Sequence, residues 1–122
     1  FQGASEDLIR EIALVMRPVV YTPGDTVFHA GEPGGEMYFI SHGRLQVIGR
    51  DDRTVLATLS DGEFFGEMAL LLNQPRNATV KAMGYCDLYL LAKPGFDAIV
   101  ERYPEFAAHI QEMMAGRQER RP

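Results

Sequence analysis

The sequence has little cysteine, no long apolar run and no excess of positive charge. Cys86 is the single cysteine, so no internal disulfide can form, and a reducing cytosolic environment is the simplest interpretation. No apolar stretch approaches the roughly 20 residues that a membrane-spanning helix requires, and the N-terminal region lacks the pattern of a secretory signal. The formal net charge of −5 disfavours a general nucleic-acid surface, which needs basic residues to neutralise phosphates.

Metal and nucleophilic chemistry are also disfavoured. His29, His42 and His109 show no metal-ligand spacing around Cys86, and they lack the clustering with acids that a metal-dependent barrel enzyme or a phosphodiesterase needs. The sequence therefore predicts no catalytic residue and no metal ligand. Cys86 is interpreted as a packed strand residue.

Length and composition are typical of one globular domain spanning residues 1–122. The chain has 46% hydrophobic and 24% charged residues, which are ordinary fractions for such a domain. Its 122 residues are enough to form a single core. Because the first residue is Phe1 rather than methionine, we expect a domain cut from a longer protein.

Helical patterns are found at both ends of the chain. Apolar residues close to a 3.6-residue period follow Ser5, a suitable N-cap, and Pro18 is expected to end this helix at about Arg17. A second helical pattern follows Pro94. Pro104 can start a further helix whose apolar face includes Phe106, Ile110, Met113 and Met114.

Short β-rich runs separated by turn residues fill the middle of the chain. These runs predict strands at residues 26–29, 37–40, 45–48, 55–59, 78–82 and 87–91. Short strands at such regular spacing indicate a closed sandwich or barrel.

The run from Phe64 to Val80, FFGEMALLLNQPRNATV, is the most informative part of the chain. Gly66 has no Cβ and allows a ligand to approach the backbone. The pattern after it predicts a short helix, whose free N–H groups attract an anion. Arg76 can pair with a phosphate through its planar guanidinium, and Glu67 can accept hydrogen bonds from a sugar hydroxyl. Together these features suit a small cyclic phosphate ester.

This run closely resembles the phosphate-binding cassette of cyclic nucleotide-binding domains. The segments YTPGD (21–25), GEPG (31–34), EMYFISHG (36–43) and LSDG (59–62) are similar to turns and strands of that family, in the same order. The resemblance covers essentially the whole chain. Residues 83–88 (MGYCDL) and 102–105 (RYPE) are most similar to the versions in cyclic nucleotide-gated and hyperpolarisation-activated ion channels.

The resemblance implies an α+β, mainly β, fold. We expect an antiparallel, jelly-roll-like β-roll of about eight strands over residues 19–92, with the cassette at 65–80. A helix over 1–18 precedes the roll, a short helix lies in the cassette, and two helices over 94–120 follow, the last of them a lid.

The resemblance also implies a ligand, cAMP or cGMP, and its contacts, without any cofactor. Glu67 would hold the ribose 2′-hydroxyl and Arg76 an exocyclic phosphate oxygen, with backbone amides near Gly66, Ala69 and Asn77 completing the cradle. Val47 would lie against the purine, and Arg117 would contact the base from the lid helix. The predicted ligand-binding residues are Val47, Phe65, Gly66, Glu67, Met68, Ala69, Arg76, Asn77, Ala78 and Arg117.

Structural roles compete with several of these functional ones. Arg76 could be an ordinary surface arginine, and Glu67 could simply stabilise the helix dipole, an effect of about 0.3–1 kcal/mol. Val47 could be a core residue. The last helix could pack permanently on the roll instead of closing over the purine.

Two positions bear on the choice of base. Asn77 stands where related domains carry Ala, Ser or Thr, and a hydroxyl there is associated with guanine contact. Arg121 falls where some cGMP-selective channels carry an acid. Asn77 can donate and accept hydrogen bonds but has a different reach, so it leaves the choice between cAMP and cGMP open, whereas an arginine at position 121 favours cAMP.

The predicted function is a non-catalytic cyclic nucleotide sensor that gates an attached, tetrameric ion-channel pore through its C-terminal helix. The domain would then be the cytoplasmic part of a membrane protein, monomeric when isolated and without a nucleic-acid partner. The alternative is a regulatory domain of a kinase or of a transcription factor.

Overall fold

The computed structural model describes residues 5–120, without the side chains of residues 114 and 116–120. The elements are α1 (Glu6–Val15), β1 (Arg17–Tyr21), β2 (Thr26–Phe28), β3 (Glu36–His42), β4 (Leu45–Ile48), β5 (Val55–Leu59), β6 (Phe64–Phe65), α2 (Glu67–Leu72), β7 (Thr79–Ala82), β8 (Cys86–Ala92), α3 (Lys93–Arg102) and α4 (Pro104–Arg120). None of the helices within residues 5–120 combines the length and apolar character needed to cross a membrane.

The strands form two four-stranded antiparallel sheets, in the orders β1-β8-β3-β6 and β2-β7-β4-β5. Residues that alternate along the strands, such as Leu45 and Val47 on β4, turn their side chains to the space between the sheets and are buried there. The predicted β-roll with flanking helices is confirmed.

A second core joins the three long helices to the roll. Buried side chains of α1 (Leu8, Ile12), α3 (Phe96, Ile99) and α4 (Phe106, Ile110) pack with Met37 and Leu91 of the first sheet. Full burial of such a side chain contributes roughly 1.5–3 kcal/mol. The start of α4 is therefore fixed to the roll.

The N-terminal helix is shorter than the sequence predicts. It begins as expected, with the Ser5 hydroxyl accepting a hydrogen bond from the Leu8 N–H at 3.2 Å. It ends at Val15, and Arg17 and Pro18 already belong to β1. Because β1 is an edge strand, a proline without an N–H group is tolerated there.

The remaining differences concern short elements. The sequence analysis did not predict β1 or β6. Strand β1 contains Pro18, and β6 has only two residues, so neither shows a strand pattern. Helix α3 begins at Lys93 and includes Pro94 in its first turn, where a proline needs no hydrogen-bond partner. Cys86 is buried in β8 as predicted, with its Sγ 3.4 Å from the Arg44 carbonyl oxygen.

Candidate ligand-binding site

Gly66 makes the turn that starts α2. It caps the helix with φ 84° and ψ 2°, in the left-handed region that disfavours side chains. A Cβ at this position would lie 2.9 Å from Nη1 of Arg76 and 3.1 Å from the Glu36 carbonyl oxygen. Both the conformation and the crowding therefore require glycine at this position.

Arg76 is held by its backbone and its side chain together. Its N–H donates to the Glu32 carbonyl at 2.8 Å, and its own carbonyl accepts from the Gly31 N–H at 2.7 Å. Nη1 donates to the Gly66 carbonyl at 3.0 Å and Nη2 to the Glu36 carbonyl at 2.8 Å. The guanidinium also lies over the Phe28 ring, 3.9 Å from its centroid. These contacts fix its plane.

The charge of Arg76 is buried and incompletely paired. The side chain is nearly inaccessible, and Oε2 of the half-exposed Glu36 carboxylate lies 3.5 Å from Nη2. Burial lowers the pKa of the guanidinium, but arginine remains charged at neutral pH because its ordinary value is so high. Burial also raises the pKa of Tyr38 above its ordinary value, so this nearby phenol stays neutral.

The Nε–H of Arg76 is buried and has no hydrogen-bond acceptor in the described part of the chain. An unpaired buried donor costs about 1–3 kcal/mol. An oxygen brought by an anionic ligand would remove that penalty. The surface-arginine interpretation of Arg76 is wrong, since the residue is only 4% exposed.

Glu67 occupies the first position of α2 and is buried. Its Oε2 accepts a hydrogen bond from the Met68 N–H at 3.1 Å. This contact is the one expected of an acid at a helix N-terminus. The predicted contact with a ribose hydroxyl stays a prediction, and the two roles are compatible.

A pocket of about 190 Å³ lies between α2, the strand residues of the second sheet and the segment around Arg76. Polar groups of Glu67, Arg76 and Asn77 line one part of it, and aliphatic side chains line another. The lining residues are Phe28, Val47, Leu56, Leu59, Phe65, Gly66, Glu67, Met68, Ala69, Pro75, Arg76, Asn77, Ala78 and Val80.

Nine of the ten predicted site residues line this pocket. The tenth, Arg117, belongs to α4, but its side chain lies outside the described part of the structure, as does that of Met114. Arg121 is outside the described residues altogether. Val47 is both a core residue and a lining residue, so its two interpretations do not exclude each other.

Sequence reasoning missed Phe28, Leu56, Leu59 and Glu36. Phe28 lies under Arg76 because β2 pairs with β7, which follows Arg76 by only a few residues. The alternating pattern of β5 could have identified Leu59 as an inward residue. No local signal marks Glu36, whose carbonyl contact with Arg76 spans 40 positions.

Two further contacts connect the site internally. The Asn77 side-chain amide donates to the Sδ of Met68 at 3.3 Å, and the Thr79 hydroxyl accepts from the Ala30 N–H at 2.9 Å. No group of three or more His, Cys, Asp or Glu side chains within residues 5–120 is arranged to hold a metal ion.

Residues 18–103 match the model of the cyclic nucleotide-binding domain family. The chain belongs to this family. Its curated relatives include the human cyclic nucleotide-gated channel alpha-3, 36% identical over 97% of this chain and 18% of the relative. The rod photoreceptor channel subunit alpha of Gallus gallus is 35% identical over 92% of this chain and 18% of the relative. The domain thus spans less than a fifth of these relatives.

Solved structures of the same fold support this membership. The catabolite activator protein of Thermus thermophilus superposes with a TM-score of 0.88 and 25% identity, covering 98% of this domain and 58% of that chain. The regulatory domain of Toxoplasma gondii PKA with cAMP gives a TM-score of 0.76 and 31% identity, covering 81% of this domain and 39% of that chain.

Proposed function

We propose that this domain binds cAMP, and cGMP more weakly, in the pocket between α2 and the second sheet. The phosphate accepts hydrogen bonds from Arg76 and from amides of α2, the ribose bonds to Glu67, and the purine contacts the aliphatic wall. The observation that carries the proposal is the buried, fixed and incompletely paired guanidinium of Arg76 at the pocket wall. The PKA relative, solved with cAMP, supports the choice of ligand.

Calorimetric titration of the domain with both nucleotides tests the proposal. Arg76→Ala is expected to weaken cAMP binding by roughly 10- to 100-fold, because a hydrogen bond to a charged group contributes about 1.5–3 kcal/mol. Arg76→Lys keeps the charge but lacks the planar fork, and it should fall between this variant and the wild type.

Arg53→Ala is the matched control, since Arg53 is an exposed arginine on the β4–β5 turn and does not line the pocket. Each variant's melting temperature is measured alongside, so that loss of folding is separated from loss of binding. Near-normal cAMP affinity of folded Arg76→Ala would contradict the proposal.

The domain acts as a non-catalytic sensor in this proposal. Ligand binding draws the end of α4 over the purine, with Arg117 contacting the base. The exposure of Met113 supports a mobile end, since Phe106 and Ile110 at the start of α4 are buried whereas Met113 is 42% exposed. A ligand shifts such an equilibrium only by its differential affinity for the closed state. Slower amide exchange of residues 111–120 with cAMP, and its loss in Arg117→Ala, would support the lid.

We further propose that the sensor is the cytoplasmic part of a tetrameric, cyclic nucleotide-gated channel. The support is the 35–36% identity to channel subunits over nearly the whole domain. Patch recording from the full-length protein tests it directly, with a current that responds to cAMP as the expected result.

A regulatory domain of a transcription factor or kinase is the second candidate. The Thermus activator matches 98% of this domain with a TM-score of 0.88, and this similarity favours a transcription factor over a kinase. The full-length sequence discriminates the candidates. Membrane-spanning helices before the domain indicate a channel, and a helix-turn-helix after it indicates a transcription factor.

A further inference from the structure

The loop between β2 and β3 contacts Arg76 through its backbone. Its Gly31 N–H and Glu32 carbonyl make two backbone hydrogen bonds to Arg76, at 2.7 and 2.8 Å. The side chain of Glu32 in turn accepts from the His29 N–H at 3.1 Å, which closes the loop. After these contacts the chain passes Gly34 and enters β3 at Glu36, whose carbonyl accepts from Nη2 of Arg76.

Gly34 lies where this loop, α2 and Arg76 meet. A Cβ at Gly34 would overlap the Cβ of Ala69 and would lie 3.0 Å from Nε and 3.1 Å from Cζ of Arg76. Such distances are tighter than nearly all real Cβ contacts. The crowding is with Ala69 in α2 and with the atom of Arg76 that lacks an acceptor.

We infer that Gly34 is a positioning residue for the phosphate site. Because Gly34 has no side chain, the N-terminal turn of α2 and the guanidinium of Arg76 can both pack closely against it, and this packing sets the distance between them. A methyl group there forces Ala69 and Nε apart, and the two donors of the cradle no longer converge on one phosphate. This inference rests on the proposed function, because it assumes that both groups bind the same anion.

The next residue supplies a matched control. Gly35 belongs to the same loop and, like Gly34, has no positive φ, but a Cβ built on it meets no atom within 4 Å. Gly34→Ala and Gly35→Ala therefore make the same chemical change with similar effects on the unfolded chain. Only the new methyl group of Gly34→Ala meets Ala69 and Arg76.

Calorimetric titration of both variants with cAMP is the first test. Gly34→Ala is expected to lower affinity about tenfold or more, since the groups of a binding site must be held within about 0.5 Å of their productive geometry. Gly35→Ala is expected to stay within about twofold of the wild type. The variant Gly34→Ala/Ala69→Gly removes the overlapping methyl and keeps both backbone N–H groups, so it should recover most of the lost affinity.

Two readouts separate positioning from general destabilisation. In an Arg76→Ala background, Gly34→Ala should cost less affinity than in the wild type, because one of the two displaced groups is already gone. In ligand-free protein, the ¹H–¹⁵N signal of the Arg76 Nε–H should shift in Gly34→Ala and stay unchanged in Gly35→Ala. Overhauser contacts from the Gly34 α-protons to the Ala69 methyl and the Arg76 Nε–H test the geometry in the wild type, whether or not the variant folds.

The outcomes distinguish the two proposals. A wild-type domain that binds neither cAMP nor cGMP overturns the proposed function and the inference with it. A wild-type domain that binds, with Gly34→Ala equal to Gly35→Ala, overturns the inference alone. Absence of the Overhauser contacts, or no recovery in the double variant, also contradicts it.

Discussion

Arg76 is held by the fold through both terminal nitrogens and one face of its guanidinium, and only its Nε–H is left without an acceptor among the described residues. The carbonyls of Gly66 and Glu36 fix the two terminal nitrogens, and Phe28 covers one face of the guanidinium. A donor that is already oriented loses little conformational entropy on binding. The arrangement therefore favours a planar, directional contact over the diffuse attraction that a lysine would provide.

Substitution of Gly66 tests how far this site depends on one turn. In Gly66→Ala the new Cβ meets Nη1 of Arg76 in addition to the strain of a positive φ, so both stability and cAMP affinity should fall. Gly62→Ala is the control, because Gly62 has φ +86° but open space around it. It should lose about 1–2 kcal/mol of unfolding free energy and keep its affinity. Equal binding by the two variants would contradict the role of Gly66.

The β4–β5 turn offers a residue-level prediction on pH. Hydrogen bonds from Thr54, and from the Arg53 N–H, lower the pKa of Asp51 to about 2. Because the folded value lies below the unfolded one, the stabilisation is present above about pH 4. It is lost as the pH falls through about 2.

Carbon NMR of the Asp51 carboxyl measures this titration. Thr54→Val should raise the pKa of Asp51 towards its ordinary value, since the hydroxyl of Thr54 is the largest cause of the shift. Thr54→Ser keeps the hydroxyl and should leave the pKa low. If Thr54→Val leaves the pKa of Asp51 unchanged, the hydroxyl of Thr54 is not the main cause of the shift.

At the scale of the element, sequence patterns correctly predicted those helix starts that depend on contacts between residues close together in the chain. The Ser5 cap, the start of α4 at Pro104 and the short helix after Gly66 follow from residues within one or two turns. Strand β6 could not be found this way, because its two residues are ordered by pairing with β3. The sequence predicted the end of α1 too late, at about Arg17. Pro18 instead lies in β1, an edge strand that tolerates proline, and the sequence alone does not show that a sheet edge lies there.

Helix α4 combines a buried start, at Phe106 and Ile110, with an exposed side chain at Met113. Phe106→Ala should lower the unfolding free energy by about 3–5 kcal/mol, because a fully buried aromatic side chain leaves a cavity in the helix–roll core. Met113→Ala should change it by less than about 1 kcal/mol, since Met113 is 42% exposed. Urea denaturation followed by circular dichroism measures both. Similar losses would mean that the buried face of α4 continues beyond Ile110.

At the scale of the whole molecule, the site is assembled from distant parts of the chain. Phe28, Glu36 and Arg76 meet because the strand order places β2 beside β7 and β3 beside β6. Periodicity gives neither this order nor the partners of Arg76. The family resemblance provided the roll and the cassette residues, whereas the supporting contacts of Gly34 and Phe28 required the three-dimensional arrangement.

Ligand binding should stabilise the entire domain, because the cradle joins both sheets and α2. At cAMP concentrations 100 times the dissociation constant, binding to the folded state alone adds about 2.7 kcal/mol. For a domain of this size the melting temperature should rise by roughly 8–12 °C. Differential scanning fluorimetry measures the shift.

Adenosine, which lacks the phosphate, is the control ligand for this experiment. The guanidinium of Arg76 and the amides of α2 have no anion to bind in that case, so adenosine at the same concentration should leave the melting temperature nearly unchanged. Arg76→Ala should reduce the cAMP shift while leaving the response to adenosine as it was. An adenosine shift as large as that of cAMP would mean that the apolar wall, and not the phosphate cradle, dominates recognition.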